Sequence, residues 1–434
     1  MSTCKINSGI VFVSMASSVL GLLGCSGQTT SGSLPEPTYY RDIAPLVEAK
    51  CNNCHVEGGI APFALENYDH LKALAPAVRA SVVMKTMPPW PASNECADYL
   101  GNRSLTDEQI DRLVQWIDNG MSEGDPSDAP VKVDSNALKL SRVDLELPMP
   151  VAYTPKVSPD EYRCFFIDWP EQETKYVTGF GVKPGHAPVV HHVIAYLARP
   201  DTLEAFEALE AEDAEPGWTC YGGPGGNAAG TSWVGGWAPG ALGSDFPQGT
   251  GIEIPAGSKL VVQLHYNTST AAPMPDQTAL LLKVDKTVEK KAATIPFTNI
   301  KWVQDHTMDI PPHTNDVTHA YAADPTKWMT FMTGGTIASN VPLTIYSASA
   351  HMHTFGKSIG LEIQRSTGET ECMVDIPQWN FHWQGQYGFS QPKLFDPGDA
   401  ISMKCIYDNT TSSEVNWGEG TGDEMCLGVY YVTE

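Results

Sequence analysis

Cys51-Asn52-Asn53-Cys54-His55 sets two thiols and an imidazole in the C-x-x-C-H spacing. That spacing attaches haem through two thioethers and leaves the histidine as an axial iron ligand. With 10 Cys and 12 His in 434 residues, random placement would supply roughly 0.006 such pentapeptides. A disulfide turn or half of a zinc site is the competing use, but no second C-x-x-C follows. The opposite axial ligand is assigned to Met87, in Thr86-Met87-Pro88-Pro89-Trp90, where two prolines end a helical stretch from Ala77 to Lys85. Met84 is the competing thioether and reads as core. Sulfur opposite imidazole raises the haem potential and suits single-electron transfer rather than oxygen binding. Further on, histidines recur at three places: His191-His192, His265 within Val261-Val262-Gln263-Leu264-His265-Tyr266, and His351-Met352-His353. Each alone is weak, since chance supplies about 0.3 His-His and about 0.3 His-x-His in this composition. On a strand, i and i+2 share a face, so His351 and His353 can share a metal without distortion. Adjacent His191 and His192 point oppositely unless a bulge turns one of them. Imidazoles suit copper, zinc and iron, whereas a thioether selects Cu(I), so a methionine completing one cluster would name the metal.

The elements that must position these groups differ along the chain. At 434 residues, two to four domains are expected. In residues 39–124, Thr106-Asp107-Glu108-Gln109 forms a capping box ahead of a helix with Ile110, Leu113, Val114 and Ile117 on one face, stopped by Gly120. Helix, haem motif, methionine loop and capped helix together resemble a small class I cytochrome c, an all-α domain carrying one covalently attached haem c. Residues 125–142 are polar, lack an apolar period and read as a linker. Beyond them, Tyr176 to Val182, Val189 to Leu197, Lys259 to Tyr266, Ala279 to Val284, Leu343 to Ala350 and Gly428 to Val432 are short, β-branched and aromatic, with Gly and Pro between. Their length predicts two all-β sandwiches, residues 143–290 and 291–434. His70, His306, His313 and His319 read as surface residues, and His186 and His382 as core hydrogen-bonding groups. A net charge of −24 with only 18% charged residues excludes a basic surface for nucleic acid.

The amino-terminal segment bears on compartment. Gly9 to Leu23 is apolar and small after a single cation, Lys5, and reads as an export signal. Leu22-Leu23-Gly24-Cys25-Ser26 resembles a bacterial lipobox, which makes residues 1–24 a lipoprotein signal peptide, Cys25 the lipidated residue and 25–38 a tether. The alternative is an ordinary signal peptide with a chance cysteine. Exported to the cell envelope, the chain would touch membrane through its lipid only. In that compartment Cys96, Cys164, Cys220, Cys372, Cys405 and Cys426 can form disulfides, with fifteen pairings open.

Taken in order, His-His, Gln-x-His-Tyr, His-x-His and then Asp423-Glu424-Met425-Cys426 resemble the copper type II, ascorbate-dependent monooxygenases, the family of peptidylglycine α-hydroxylating and dopamine β-monooxygenases. The resemblance covers roughly residues 143–434, and the fused cytochrome marks a bacterial branch. It implies two jelly-roll sandwiches facing each other across a water-filled cleft and two copper ions. His191, His192 and His265 would bind the electron-storing copper; His351, His353 and Met425 would bind the copper where O2 and substrate meet. It also implies disulfides Cys405–Cys426 and Cys164–Cys220. Cys96 and Cys372 have no counterpart and are either free or a bridge from the cytochrome to the second sandwich. Peptide-amidating members hold a substrate carboxylate with Arg, Asn and Tyr where this chain has Ser349, Leu427 and Val429. None of these offers a carboxylate fork, so the implied substrate is a neutral small organic molecule. The implied activity is C–H hydroxylation with O2, electrons coming from or through the haem, supplied by an ascorbate-like reductant or a redox protein. A lipid-anchored copper and haem electron carrier, or a copper-binding protein without oxygenase activity, is the alternative.

Overall fold

The computed structural model describes residues 35–434 apart from 58, 60, 131–138, 226–231, 242 and 270. The export signal and Cys25 lie outside the described residues. No helix among the described residues is long and apolar enough to cross a membrane.

Three helices follow the start of the described chain: α1 (Ala44–Lys50), α2 (Tyr68–Val83) and α3 (Asp107–Asp118). At α3 the Thr106 hydroxyl accepts from the Gln109 amide and the Gln109 side chain accepts from the Thr106 amide, so two orphan donors are satisfied reciprocally. Its Ile110, Leu113 and Trp116 are buried against Ile43, Val47 and Leu71. Gly120, at φ +92°, turns the chain away after it. Helix α2 starts earlier than the prolines alone imply, because Asn67 caps it by accepting from the His70 amide, and it carries Pro76 within. Met84 caps its carboxyl end and is 65% exposed, which corrects its assignment to the core.

Ten strands make the first β unit: β1 (Leu145–Pro148), β2 (Asp160–Asp168), β3 (Lys175–Lys183), β4 (Val190–Ala198), β5 (Trp218–Thr219), β6 (Ser232–Trp237), β7 (Ser244–Asp245), β8 (Thr250–Ile254), β9 (Lys259–Asn267) and β10 (Ala279–Asp285). One layer runs β5-β2-β9-β4-β6; the other runs β1-β10-β3-β8, with β7 against β3. Between them lie Phe165, Val177, Val193, Ile254, Leu264 and Leu280, all buried. The second unit contains β11 (Lys290–Phe297), β12 (Thr314–Ala323), β13 (Leu343–His351), β14 (Gly356–Gln364), β15 (Thr370–Ile376), β16 (Gln386–Phe395), β17 (Ala400–Asn409) and β18 (Leu427–Thr433). Sheet β11-β18-β13-β16 packs on sheet β12-β17-β14-β15 around Ile345, Leu361, Phe395, Met403 and Tyr430. The molecule is thus mostly β sandwich, with few helices.

Backbone pairing joins the two sandwiches. Strand β11 pairs with β18 from Ala292 to Phe297, yet also runs parallel to β8 at Lys290 and Lys291 and pairs with β6 at Thr294. The helical part is fastened as firmly. A strap from Trp90 to Leu100 lies on the second sandwich: the Ser93 amide donates to the Asp375 carbonyl, Leu100 to Gly388, and Ser390 to Asp98. Ala92 and Tyr99 enter that sandwich's core, and Trp90 meets Tyr387 edge-on at 5.3 Å. A disulfide between Cys96 and Cys372 closes the strap, so these two cysteines are paired rather than free. Cys164 pairs with Cys220 and Cys405 with Cys426. Three disulfides fit an exported protein, since thiols persist as disulfides in oxidising compartments.

Candidate metal centre

Register brings the first three histidines together. Strands β4 and β9 are antiparallel with His192 opposite His265, and their pairing shifts between Val190 and His192. The shift leaves His191 as the extra residue of a bulge, the local distortion that lets neighbouring histidines serve one point. Ligand atoms of His191, His192 and His265 all lie within 4.8 Å of one another. On the next strand, β2 sets Tyr162 opposite His265 and Asp160 opposite Asn267. Tyr162 stacks flat on the His265 ring, centroids 4.1 Å apart at 7°. Asp160 Oδ1 accepts from His265 Nε2 at 2.9 Å and from the Asn267 side-chain Nδ2 at 2.8 Å. With its proton on Nε2, His265 presents the Nδ1 lone pair towards His192 Nδ1, 3.3 Å away. His191 Nδ1 is buried and finds no hydrogen-bond partner among the described residues. A buried His191 nitrogen without a partner, the His192–His265 nitrogen pair beside it and a carboxylate behind one ring fit a copper or zinc ion held by three imidazoles.

The second group stands at the end of β13, whose last residue is His351. Met352 turns into the core, fully buried, while His351 and His353 rings stand 5.0 Å apart at 86°. His351 Nδ1 donates to Gln384 Oε1 at 2.6 Å and His353 Nδ1 to the Asp423 carbonyl at 3.2 Å, which frees Nε2 on each ring. The Glu424 carboxylate is fully buried and clamps this corner. Its Oε2 accepts from the amides of His353 (2.9 Å) and Met425 (3.2 Å), and its Oε1 from Phe355 (2.6 Å). Buried Met425 is thereby tied to the His353 loop; its carbonyl accepts from Tyr407, and its neighbour Cys426 is bonded to Cys405. The cleft expected between the two groups does not separate these rings: His192 and His351 centroids are 6.4 Å apart. Phe381 fills the space beside them, stacked on His191 at 4.6 Å and edge-on to His353 at 5.9 Å.

Burial governs the electrostatics. It pushes His191 down to about 3, with His265 and His351 adding like-charge repulsion, and His353 to about 3. His351 falls to about 4, the Gln384 contact opposing part of the effect. His192 falls well below its ordinary value, and His265 falls less far because Asp160 favours its cation. Asp160 is held well below the usual carboxylate range: burial raises it, and the His265, Thr421 and Asn267 contacts together outweigh that. Burial lifts Glu424 to about 7. All five imidazoles are therefore neutral, the state in which they ligate metal.

Elsewhere, Cys51 and Cys54 carry free thiols just beyond α1. His55 Nδ1 donates to the Phe63 carbonyl at 3.1 Å, leaving Nε2 open, and Met87 is half-buried before Pro88. Free thiols and a histidine oriented through Nδ1 fit a covalent haem. His70, His306 and His313 are exposed and His319 half-buried. His382 is exposed, which corrects its placement in the core; its neighbour Phe381 takes the buried position. Sequence reasoning missed Asp160, Tyr162, Phe381 and Gln384. Only strand register reveals the first two, and no periodic signal marks a loop residue such as the last two.

Residues 297–433 match the family model described as copper type II ascorbate-dependent monooxygenase, C-terminal domain. The matched segment contains His351, His353 and Met425. Among solved structures, the major capsid protein P2 of bacteriophage PM2 aligns at 10% identity over 67% of this chain and 97% of that one, with a TM-score of 0.28. The infectious bursal disease virus VP2 subviral particle aligns at 10% identity over 71% and 84%, TM-score 0.17. Bacillus subtilis oxalate decarboxylase aligns at 6% over 64% and 80%, TM-score 0.12. At such scores the likeness carries no argument about this chain.

Two outcomes follow from this geometry. Asp160→Ala removes the acceptor that fixes the His265 tautomer, so copper affinity at the three-imidazole group falls about 10- to 100-fold in competition titrations with a chelator. An unchanged affinity would contradict the role given to Asp160. In metal-free protein, the unfolded chain protonates its histidines below 6.5 while the five buried rings stay neutral, so stability falls as pH drops from 6.5 towards 4. Glu419 and Glu424, lifted to about 7, act oppositely between 4.5 and 7, because the folded state holds their protons. Five imidazoles outweigh two carboxyls, so denaturant titrations of metal-free protein will show net loss of stability on acidification through that window; a flat profile would refute neutral burial.

Proposed function

We propose that this chain is a copper-dependent monooxygenase that hydroxylates a C–H bond of a small organic substrate with O2, drawing electrons through a fused c-type haem. The observation that carries it is the convergence of His191, His192, His265, His351 and His353 beside a clamped Met425, in a chain whose residues 297–433 match the carboxyl-terminal domain of such enzymes. In this reading the three imidazoles hold one copper, and His351, His353 and Met425 hold a second. Copper bound at these groups supplies one-electron redox chemistry and, beside the thioether, a place for O2. The overall reaction consumes substrate, O2, two electrons and two protons, and yields the alcohol and water.

The chain's residues divide the work. Asp160 and Gln384 each accept a hydrogen bond from one imidazole N–H and so leave the opposite nitrogen as the lone pair. Glu424 fixes the spacing of His353 and Met425 through their amides. Beside His351, half-buried Ser349, Leu427 and Val429 line up across β13 and β18, Ser349 opposite Val429 and Leu427 opposite His351. That uncharged surface suits a neutral substrate and offers nothing to grip a carboxylate. Strand order β11-β18-β13-β16 over β12-β17-β14-β15 supports the jelly-roll reading of the second sandwich. Cys51, Cys54, His55 and Met87 would hold the haem in a cytochrome c domain of residues 39–124. An ascorbate-like reductant or a redox protein would refill it, and Cys25 would anchor the exported protein by lipid.

Incubation of the copper-loaded exported protein with reductant, 18O2 and a panel of neutral organic substrates should place one labelled atom in an alcohol product. Met425→Ala should abolish product while leaving the haem spectrum intact. Oxygen uptake that yields only peroxide across the panel would refute the oxygenase and leave the electron carrier.

A further inference from the structure

One loop, between β15 and β16, touches both histidine groups and comes near Cys54 of the C-x-x-C-H motif. Its residues 379–384 read Trp-Asn-Phe-His-Trp-Gln. The Trp379 indole donates to the His353 carbonyl at 3.0 Å. Phe381, 8% exposed, lies on the His191 ring and edge-on to His353. Gln384 holds His351 at 2.6 Å. Trp383 reaches the other way. A Cβ placed on Gly240 would stand 3.8 Å from Trp383 Cζ3 and 3.7 Å from Cys54 Sγ, so indole and sulfur both border that glycine and lie no more than about 7.5 Å apart. Two further bonds hold the loop's shape: the Trp383 amide donates to the Asn380 carbonyl and the Gln384 side chain to the Phe381 carbonyl, both at 2.9 Å. The strap and the Cys96–Cys372 disulfide fix the helical part against the same sandwich, so this spacing is built in rather than sampled by a tethered carrier.

We propose that Trp383 and Phe381 form the electron path from the C-x-x-C-H haem site to the His191–His192–His265 centre, a role that rests on the haem reading of Cys51, Cys54 and His55. Electron tunnelling weakens steeply across each through-space gap, and two aromatic side chains two residues apart on one short loop divide the distance into shorter steps. In that role the two rings mediate transfer of one electron at a time: haem iron passes from ferrous to ferric and copper from cupric to cuprous, with no bond made or broken and no proton moved. A soluble one-electron reductant of the ascorbate class restores the ferrous state. Trp379 and Gln384 position His353 and His351 from the same loop, which ties the path to the geometry of the second group.

The test uses the full exported chain, loaded with copper and free of O2. A light-driven pulse from a flavin reductant reduces the haem, and loss of the ferrous α-band is timed. Trp383→Leu and Phe381→Leu should each slow that decay at least about tenfold. Trp383→Phe and Phe381→Tyr should restore it, and copper content and the cupric paramagnetic resonance spectrum should match wild type in all four. Decay at the wild-type rate in the leucine variants would overturn the path. Slowed decay accompanied by an altered cupric spectrum would assign the loop a structural role instead and overturn it as well. A wild-type chain that emerges without covalent haem would refute the haem reading and this inference with it, a result distinct from an unchanged rate in a haem-loaded chain.

Discussion

Five imidazoles crowded into a buried corner can coexist only if all are neutral, and each neutral ring has a single donor and a single acceptor nitrogen. The acceptors around the corner decide which is which. Asp160, Gln384 and the Asp423 carbonyl draw protons outward from His265, His351 and His353, so the remaining lone pairs turn towards one another. A buried ring nitrogen left without a partner, as at His191 Nδ1, is unfavourable unless a cation satisfies it. The rest of the structure exists to impose that arrangement: the bulge at His191, the register of β4 on β9, and the Glu424 clamp on the His353 loop.

The corner is assembled from both sandwiches, and their relative placement follows from backbone hydrogen bonds rather than from a flexible joint. Strand β11 belongs to the sheet of β18 and β13, yet its first residues lie along β8 and Thr294 meets Trp233 of β6. The end of β13 is thus delivered to the end of β4, and His351 arrives 6.4 Å from His192. Disulfides reinforce the strands that carry the site. Cys164–Cys220 ties β2, the strand of Asp160 and Tyr162, to the chain beyond β5, and Cys405–Cys426 anchors the residue next to Met425.

Much of this was legible in the sequence where a pattern is local. Val189 to Leu197 and Lys259 to Tyr266 read as strands from their β-branched runs, and the need for a bulge at the His-His pair followed from the two-residue period of a strand. The Thr106 capping box marked α3 for the same reason of short range. What the sequence hid depends on long-range contact. Asp160 lies 105 residues from His265 and becomes its partner only through the register of β2 on β9. The closeness of the two histidine groups, in place of the expected cleft, comes from β11 pairing across both sandwiches. Met84 and His382 were misplaced because Met84 caps the end of α2 and His382 follows buried Phe381 in a loop, both facing solvent. The Trp90–Leu100 strap is irregular chain with no period to announce it.

The central claim, that His351, His353 and Met425 enclose copper, is tested most directly by X-ray absorption at the copper edge of the reduced, exported protein. The account predicts a sulfur scatterer beside imidazole nitrogens in wild type and its loss in Met425→Ala, with the imidazole shell retained. A copper environment of nitrogen alone in wild type, or zinc in place of copper, would contradict it.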